Sequence, residues 1–288
     1  MNQNTQPVGK FMKFLQIPLI RIILGFVFII LIASLVQLGI QAIVGDETVL
    51  ANAIIVILTI PIALLAYYWF VRVFERRNVT ELSLSFALKE LLAGALLGTA
   101  LFSTTISILW LLGYYQILAV NTIQDMIPWL LIGIISGTLE ELLVRGILFR
   151  IMEESLGTWV ALIISALTFG ALHLANPNAT LWAGLAIAIE AGIMLAAAYV
   201  YTRRLWIPIG IHIAWNFVQG GVFGVAVSGN EAKGLLQSTL NGPALLSGGE
   251  FGAEASIFAV MVCLVAGMFF VWKSYTQGKF IKPFWKRA

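Results

Sequence analysis

Three short clusters place ionisable and amide side chains inside long hydrophobic runs. They read Glu140-Glu141-Leu142-Leu143-Val144-Arg145, then Phe169-Gly170-Ala171-Leu172-His173, then His212-Ile213-Ala214-Trp215-Asn216. Together they supply a carboxylate pair, an arginine and both histidines of the protein. Such groups are costly at bilayer depth, and a functional site is their default reading. Glu140 and Glu141 are neighbours on a helix and point about 100° apart, so only one can face a cavity squarely. Arg145 follows Glu141 by one turn, and the two can pair along the helix face. Glu140 is then the free carboxylate and Glu141–Arg145 its support. An interfacial Glu/Arg cluster is the plainer account of the same residues. His212 and Asn216 are also one turn apart and face the same way. An imidazole and an amide so placed can each donate to one oxygen atom, the arrangement wanted for a developing oxyanion. Interhelical hydrogen bonding is the plainer account there.

The elements that must position these groups are membrane helices. The chain has 288 residues, 60% hydrophobic and only 11% charged, against roughly a quarter charged in soluble domains. The apolar runs are continuous over about 20 residues rather than alternating, which favours helices over a barrel. The fold expected is all-α, a single polytopic membrane domain over 1–288 with a cytoplasm-facing cavity. Eight spans are predicted: 22–44, 53–73, 91–112, 126–149, 158–174, 181–201, 207–227 and 256–272. Pro61 should kink the second. The polar start Met1–Gly9 with Lys10 and Lys13 precedes a run too long for a signal peptide, so an uncleaved first helix is expected. With eight spans, every Lys and Arg except Lys233 falls on one side, and the positive-inside rule puts both termini in the cytoplasm. Asp46, Glu47, Asp125, Glu231, Glu250 and Glu254 fall on the other. That makes it a multi-pass integral membrane protein, in the plasma membrane if bacterial. The small net charge of +3 gives no reason to expect nucleic acid.

Smaller features complete the reading. Thr80–Lys89 reads as an interfacial segment. Gly94/Gly98 and Gly133/Gly137 are small-xxx-small pairs that let helices approach closely. Ser228–Ala255, rich in Gly and Ser, reads as a mobile outer loop. Cys263 is the single cysteine, so no internal disulfide is possible, and it reads as core-filling or lipid-facing. The C-terminal Trp-Lys-Arg-Ala is no prenylation signal. Glu190 is a further buried acid that pairs with Arg145, lines the cavity or is protonated. The turn Glu153–Gly157 lies midway between Glu140 and His173, so an antiparallel hairpin brings those two level.

The three clusters resemble the signature of the CPBP family of intramembrane proteases, which includes the type II CAAX prenyl endopeptidases and bacteriocin-processing or immunity proteins. The pattern is EExxxR, FxxxH and HxxxN, met here by Glu140/Glu141/Arg145, Phe169/His173 and His212/Asn216. The resemblance covers about 128–218, the expected catalytic core. It implies an endopeptidase whose site opens to the cytoplasm. Glu140 and His173 would hold and activate the attacking water, His212 and Asn216 would stabilise the oxyanion, and Glu141, Arg145 and Phe169 would support them. The cofactor is either none or zinc. Without HExxH, a zinc site would need Glu140, His173 and His212 from separate helices. The expected substrate is a peptide or membrane-protein tail, with prenylation open. Two other readings stand beside it: a non-catalytic scaffold or immunity protein, and a proton-coupled transporter. No inverted repeat favours the transporter.

Overall fold

The computed structural model describes residues 14–45 and 48–287. Met1–Gly9, Lys10, Lys13, Asp46 and Glu47 lie outside the described residues. Seven helices are long and apolar enough to cross a membrane: α1 Pro18–Val44, α2 Val49–Val73, α3 Leu84–Leu111, α4 Ile123–Leu156, α5 Thr158–Ala175, α6 Leu181–Thr202 and α8 Ile257–Thr276. The seventh expected span is α7, Trp206–Asn216 continuing as Phe217–Val222. It ends before Val227, because the chain turns away at Gly224 with φ +61°. The protein is thus an all-α polytopic membrane protein with a small β addition. Strands β1 Tyr115–Val120 and β2 Leu236–Leu240 pair antiparallel, with a bulge between Ile117 and Ala119.

Local chemistry sets the ends of the helices. Thr48, Thr180 and Ser256 cap α2, α6 and α8, each accepting a backbone N–H with its side-chain oxygen at 3.0, 3.0 and 3.1 Å. Pro18 begins α1, where its missing N–H costs nothing. Leu84–Phe86, in the expected interfacial segment, is the 3₁₀ turn that opens α3. α2 runs through Pro61 as helix. Gly157 alone separates α4 from α5, at φ +79°.

The burial pattern is that of a membrane bundle. Leu31, Leu35, Leu65, Leu96, Leu167 and Val265 all face outward, which lipid allows. α7 is the reverse, buried on nearly every side. The glycine pairs explain how. A Cβ on Gly94 or Gly98 of α3 would collide with the carbonyls of Ile207 and Ile211, while one on Gly133 or Gly137 of α4 would lie 2.9 Å from Ile213. The two small-xxx-small pairs grip α7 from either side.

Charge collects at the two ends of the bundle. Arg21, Arg77 and Arg150 converge on Glu75 at 3.0, 2.9 and 2.7 Å. Arg21 and Arg150 also share Glu154, and Arg203 pairs with Glu153. Lys233 meets Asp125 at 2.6 Å, at the opposite end of α4 from Glu153 and Glu154. Four of the arginines that the positive-inside argument places on one side are therefore spatial neighbours, with Lys233 at the opposite end, while Arg145 lies buried midway along α4.

Candidate active site

The first cluster lies midway along the 34-residue α4. A π-helical stretch, Leu142–Phe149, begins directly after Glu141, and such stretches are frequent at functional sites. Glu141 and Arg145 still pair as expected, Oε1 to Nη1 at 2.7 Å, both fully buried. Arg145 also donates to the carbonyls of Ala191 and Gly192 at 2.9 and 3.3 Å. Those carbonyls belong to a second π-helical stretch, Ala188–Ile193 of α6. The guanidinium stacks 4.5 Å from the centroid of the Phe169 ring. Arg145 thus ties α4, α5 and α6 together. This gives Phe169 its place, since its ring also lies 4.7 Å from that of His173 and 6.0 Å from that of His212.

His212 is where the clusters meet. Its Nδ1 lies 3.0 Å from Glu141 Oε1, and its Nε2 lies 3.9 Å from Glu140 Oε2. A carboxylate only accepts, so Nδ1 carries the proton and Nε2 is the atom turned toward Glu140. One oxygen of Glu141 takes both Arg145 and His212, and its other oxygen is buried without a partner. The spacing argument made Glu141 a partner of Arg145 alone. Its contact with His212, 71 residues away, needs the tertiary structure.

Glu140 is the open carboxylate, with 35% of its side chain exposed. It and His173 line one cavity of ≈ 240 Å³ with Phe26, Leu143, Leu172 and Asn176. Both residues lie about 25 Å of helix rise from the Gly157 turn, so the hairpin reasoning brings them to one cavity. His173 begins the final 3₁₀ turn of α5, and its Nδ1 donates to the Phe169 carbonyl at 2.8 Å. That bond leaves Nε2 free to accept. Asn216 donates through Nδ2 to Ser136 Oγ at 3.1 Å. Ser136 had no signal in the sequence. It lies one turn before Glu140 on α4, and a serine in an apolar helix is ordinary. The amide of Asn216 keeps a second N–H.

His173, His212 and Asn216 also line a second cavity of ≈ 30 Å³, with Glu190 and Glu254. Glu190 lines this cavity, and the ion pairs of Arg145 among the described residues do not include it. No three His, Cys, Asp or Glu side chains converge as a metal-holding group among the described residues. Of the three residues named for zinc, Glu140 and His173 line one cavity, His173 and His212 line the other, and His212 Nδ1 is already given to Glu141.

Comparison with known proteins falls on this same segment. Residues 122–218 match the family described as type II CAAX prenyl endopeptidase Rce1-like. The curated "Putative membrane peptidase YdiL" of Bacillus subtilis (strain 168) is 28% identical over 100 residues, covering 34% of this chain and 38% of the relative. The chain therefore spans well under half of that relative's length. No solved structure matches. The family match over 122–218 and the motif resemblance over 128–218 cover the same three clusters.

Proposed function

We infer that this protein is an intramembrane endopeptidase of the CAAX-protease type. The observation that carries the reading is His212, held by Glu141 and turned toward Glu140, beside a cavity that Glu140 shares with His173. Glu140, with Nε2 of His173, holds a water and takes its proton as the oxygen attacks the scissile carbonyl. The carbonyl oxygen becomes an oxyanion. His212 donates through Nε2–H, and Asn216 donates through the N–H not given to Ser136. With Nδ1–H already given to Glu141, this makes His212 an imidazolium in the reacting state, and the charges of His212 and Arg145 are set against Glu141 and the oxyanion. Glu140 then returns its proton to the leaving nitrogen as the C–N bond breaks. Arg145 and Phe169 position the ring and the carboxylate and touch no reacting atom. The substrate is a peptide or membrane-protein tail entering from the cytoplasmic side, and the water is read as metal-free because His212 with Asn216 suits an oxyanion better than a zinc shell.

Cleavage of a peptide panel, prenylated and unprenylated, by purified protein in detergent tests this. Wild type, Glu140→Gln, His173→Ala and the exposed control Lys233→Ala are compared, each with and without a strong chelator. Cleavage by wild type and Lys233→Ala, absent in the other two and unchanged by chelator, supports the reading. Activity retained in Glu140→Gln removes Glu140 from the mechanism. Zinc needed for turnover overturns the metal-free water and leaves the protease. A panel left uncut, with proton flux lost in Glu140→Gln, moves the transporter reading ahead.

A further inference from the structure

Behind the two histidines lies a second pair of acids with no part in this mechanism. Glu190 lies in the π-helical stretch of α6, and Glu254 lies on the turn Ala253–Ala255 of the α7–α8 connection. Each is 2% exposed. Both line the ≈ 30 Å³ cavity, whose other titratable groups are His173 of α5, His212 of α7 and Cys263 of α8. No Lys or Arg lines it. Glu190 Oε2 is buried with no hydrogen-bond partner. Glu254 Oε1 accepts the N–H of Ser228, a residue held at φ +49°. Two carboxylates facing one small buried space that no Lys or Arg lines do not both ionise. A cavity this size has room for about two waters and offers several polar partners to bind them.

We propose that Glu190 and Glu254 share one proton across buried water, and that this carboxyl pair latches the α7–α8 connection onto α6. The latch closes the cavity behind His173, His212 and Asn216. Its state decides whether water reaches the histidines from that side. Two neighbouring contacts dock the same segment. Trp182 Nε1 donates to the Ala255 carbonyl at 2.7 Å, and Asn178 Nδ2 donates to the Gly229 carbonyl at 3.2 Å. Burial also pushes the Glu254 carboxyl up from 4.5 to about 7. Above that pH the closed pair keeps one proton, and opening to water releases it. Opening is therefore favoured as pH rises, by up to about tenfold per pH unit for one proton released.

Hydrogen–deuterium exchange of the full-length protein in detergent reads this directly. The amides of 225–230 and 252–256 are followed from about pH 7 to about pH 9, with the intrinsic pH dependence of exchange divided out. In wild type the opening constant should rise by up to tenfold per unit. In Glu190→Gln the rise should vanish, because an amide N–H replaces the shared proton and nothing is released on opening. Should that variant fail to fold, Glu254→Gln carries the same expectation. Flat wild-type exchange overturns the proposal, and so does an unchanged slope in the variant. Protection that follows sodium or calcium concentration instead of pH also overturns it, by assigning the cavity to a cation. None of these readouts depends on peptide cleavage.

Discussion

Glu141 decides most at the scale of single residues. Its buried Oε1 takes Arg145 and His212 together, so removing Arg145 leaves Glu141 a buried carboxylate without its guanidinium. Arg145→Ala should destabilise by about 3–5 kcal/mol, the usual cost of breaking a buried pair from one side. The melting temperature of the detergent-solubilised protein checks this. Asn216→Ala should behave differently. An oxyanion exists only in the transition state, so kcat should fall by about 10²–10³ with KM nearly unchanged. Ser136→Ala separates orientation from donation. It removes the 3.1 Å contact that aims the amide and leaves the donor in place, so its loss in kcat should be smaller than that of Asn216→Ala. Equal losses would make Ser136 part of the donor set.

α7 is the element on which the site depends, and its position is set by glycine. It carries two of the four proposed catalytic side chains between α3 and α4, where Gly98 and Gly137 leave no room for a Cβ. Gly98→Leu should push α7 off α3 and carry His212 away from Glu141. Overpacking of this kind costs about 1–3 kcal/mol, and activity should fall more than stability. Gly39, on α1, has open space at its Cβ, so Gly39→Ala is the matched control. The charged end of the bundle makes a separate prediction. Burial alone would raise the Glu75 carboxyl, but Arg150, Arg21 and Arg77 outweigh it and hold it below 4.5. An acid depressed by folding contributes stability that is present above its ordinary value and lost as pH falls through the folded value. Thermal stability should therefore drop on acidification below pH 4.5, the ordinary Glu75 value. Glu75→Gln should be less stable at neutral pH and should lose less of its stability on acidification.

The whole molecule raises the question of orientation. Arg21, Arg77, Arg150 and Arg203 meet Glu75, Glu153 and Glu154 at one end, and Lys233 meets Asp125 at the other. Cationic residues are retained on the cytoplasmic face, so the expected orientation has the arginine end in the cytoplasm. Reporter fusions after Arg77 and Arg204 should both report cytoplasm, and one after Lys233 the opposite face. An external signal at Arg77 or Arg204 breaks the topology and the direction of substrate entry with it.

The sequence by itself determined the membrane class, the helix positions and the three clusters, because all of these rest on local information. Hydropathy over about 20 residues defines a span. A four-residue spacing puts Glu141 beside Arg145 and His212 in line with Asn216. A turn midway between Glu140 and His173 sets their level. Only the tertiary structure decided what these faces meet. Rotation about each helix axis depends on which side chains fit between neighbours, and no spacing within one helix reports that. So Glu141 took His212, Ser136 took Asn216, and the carbonyls of Ala191 and Gly192 took Arg145. The α7–α8 connection shows the same limit. Its Gly and Ser content reads as looseness, yet Gly229 and Gly252 take positive φ at φ +82° and φ +124° beside backbone that would exclude a Cβ. They let the segment fold tightly enough to bury Phe251 and Glu254. Composition alone does not separate glycine that loosens a chain from glycine that lets it turn, because the difference lies in the contacts that surround it.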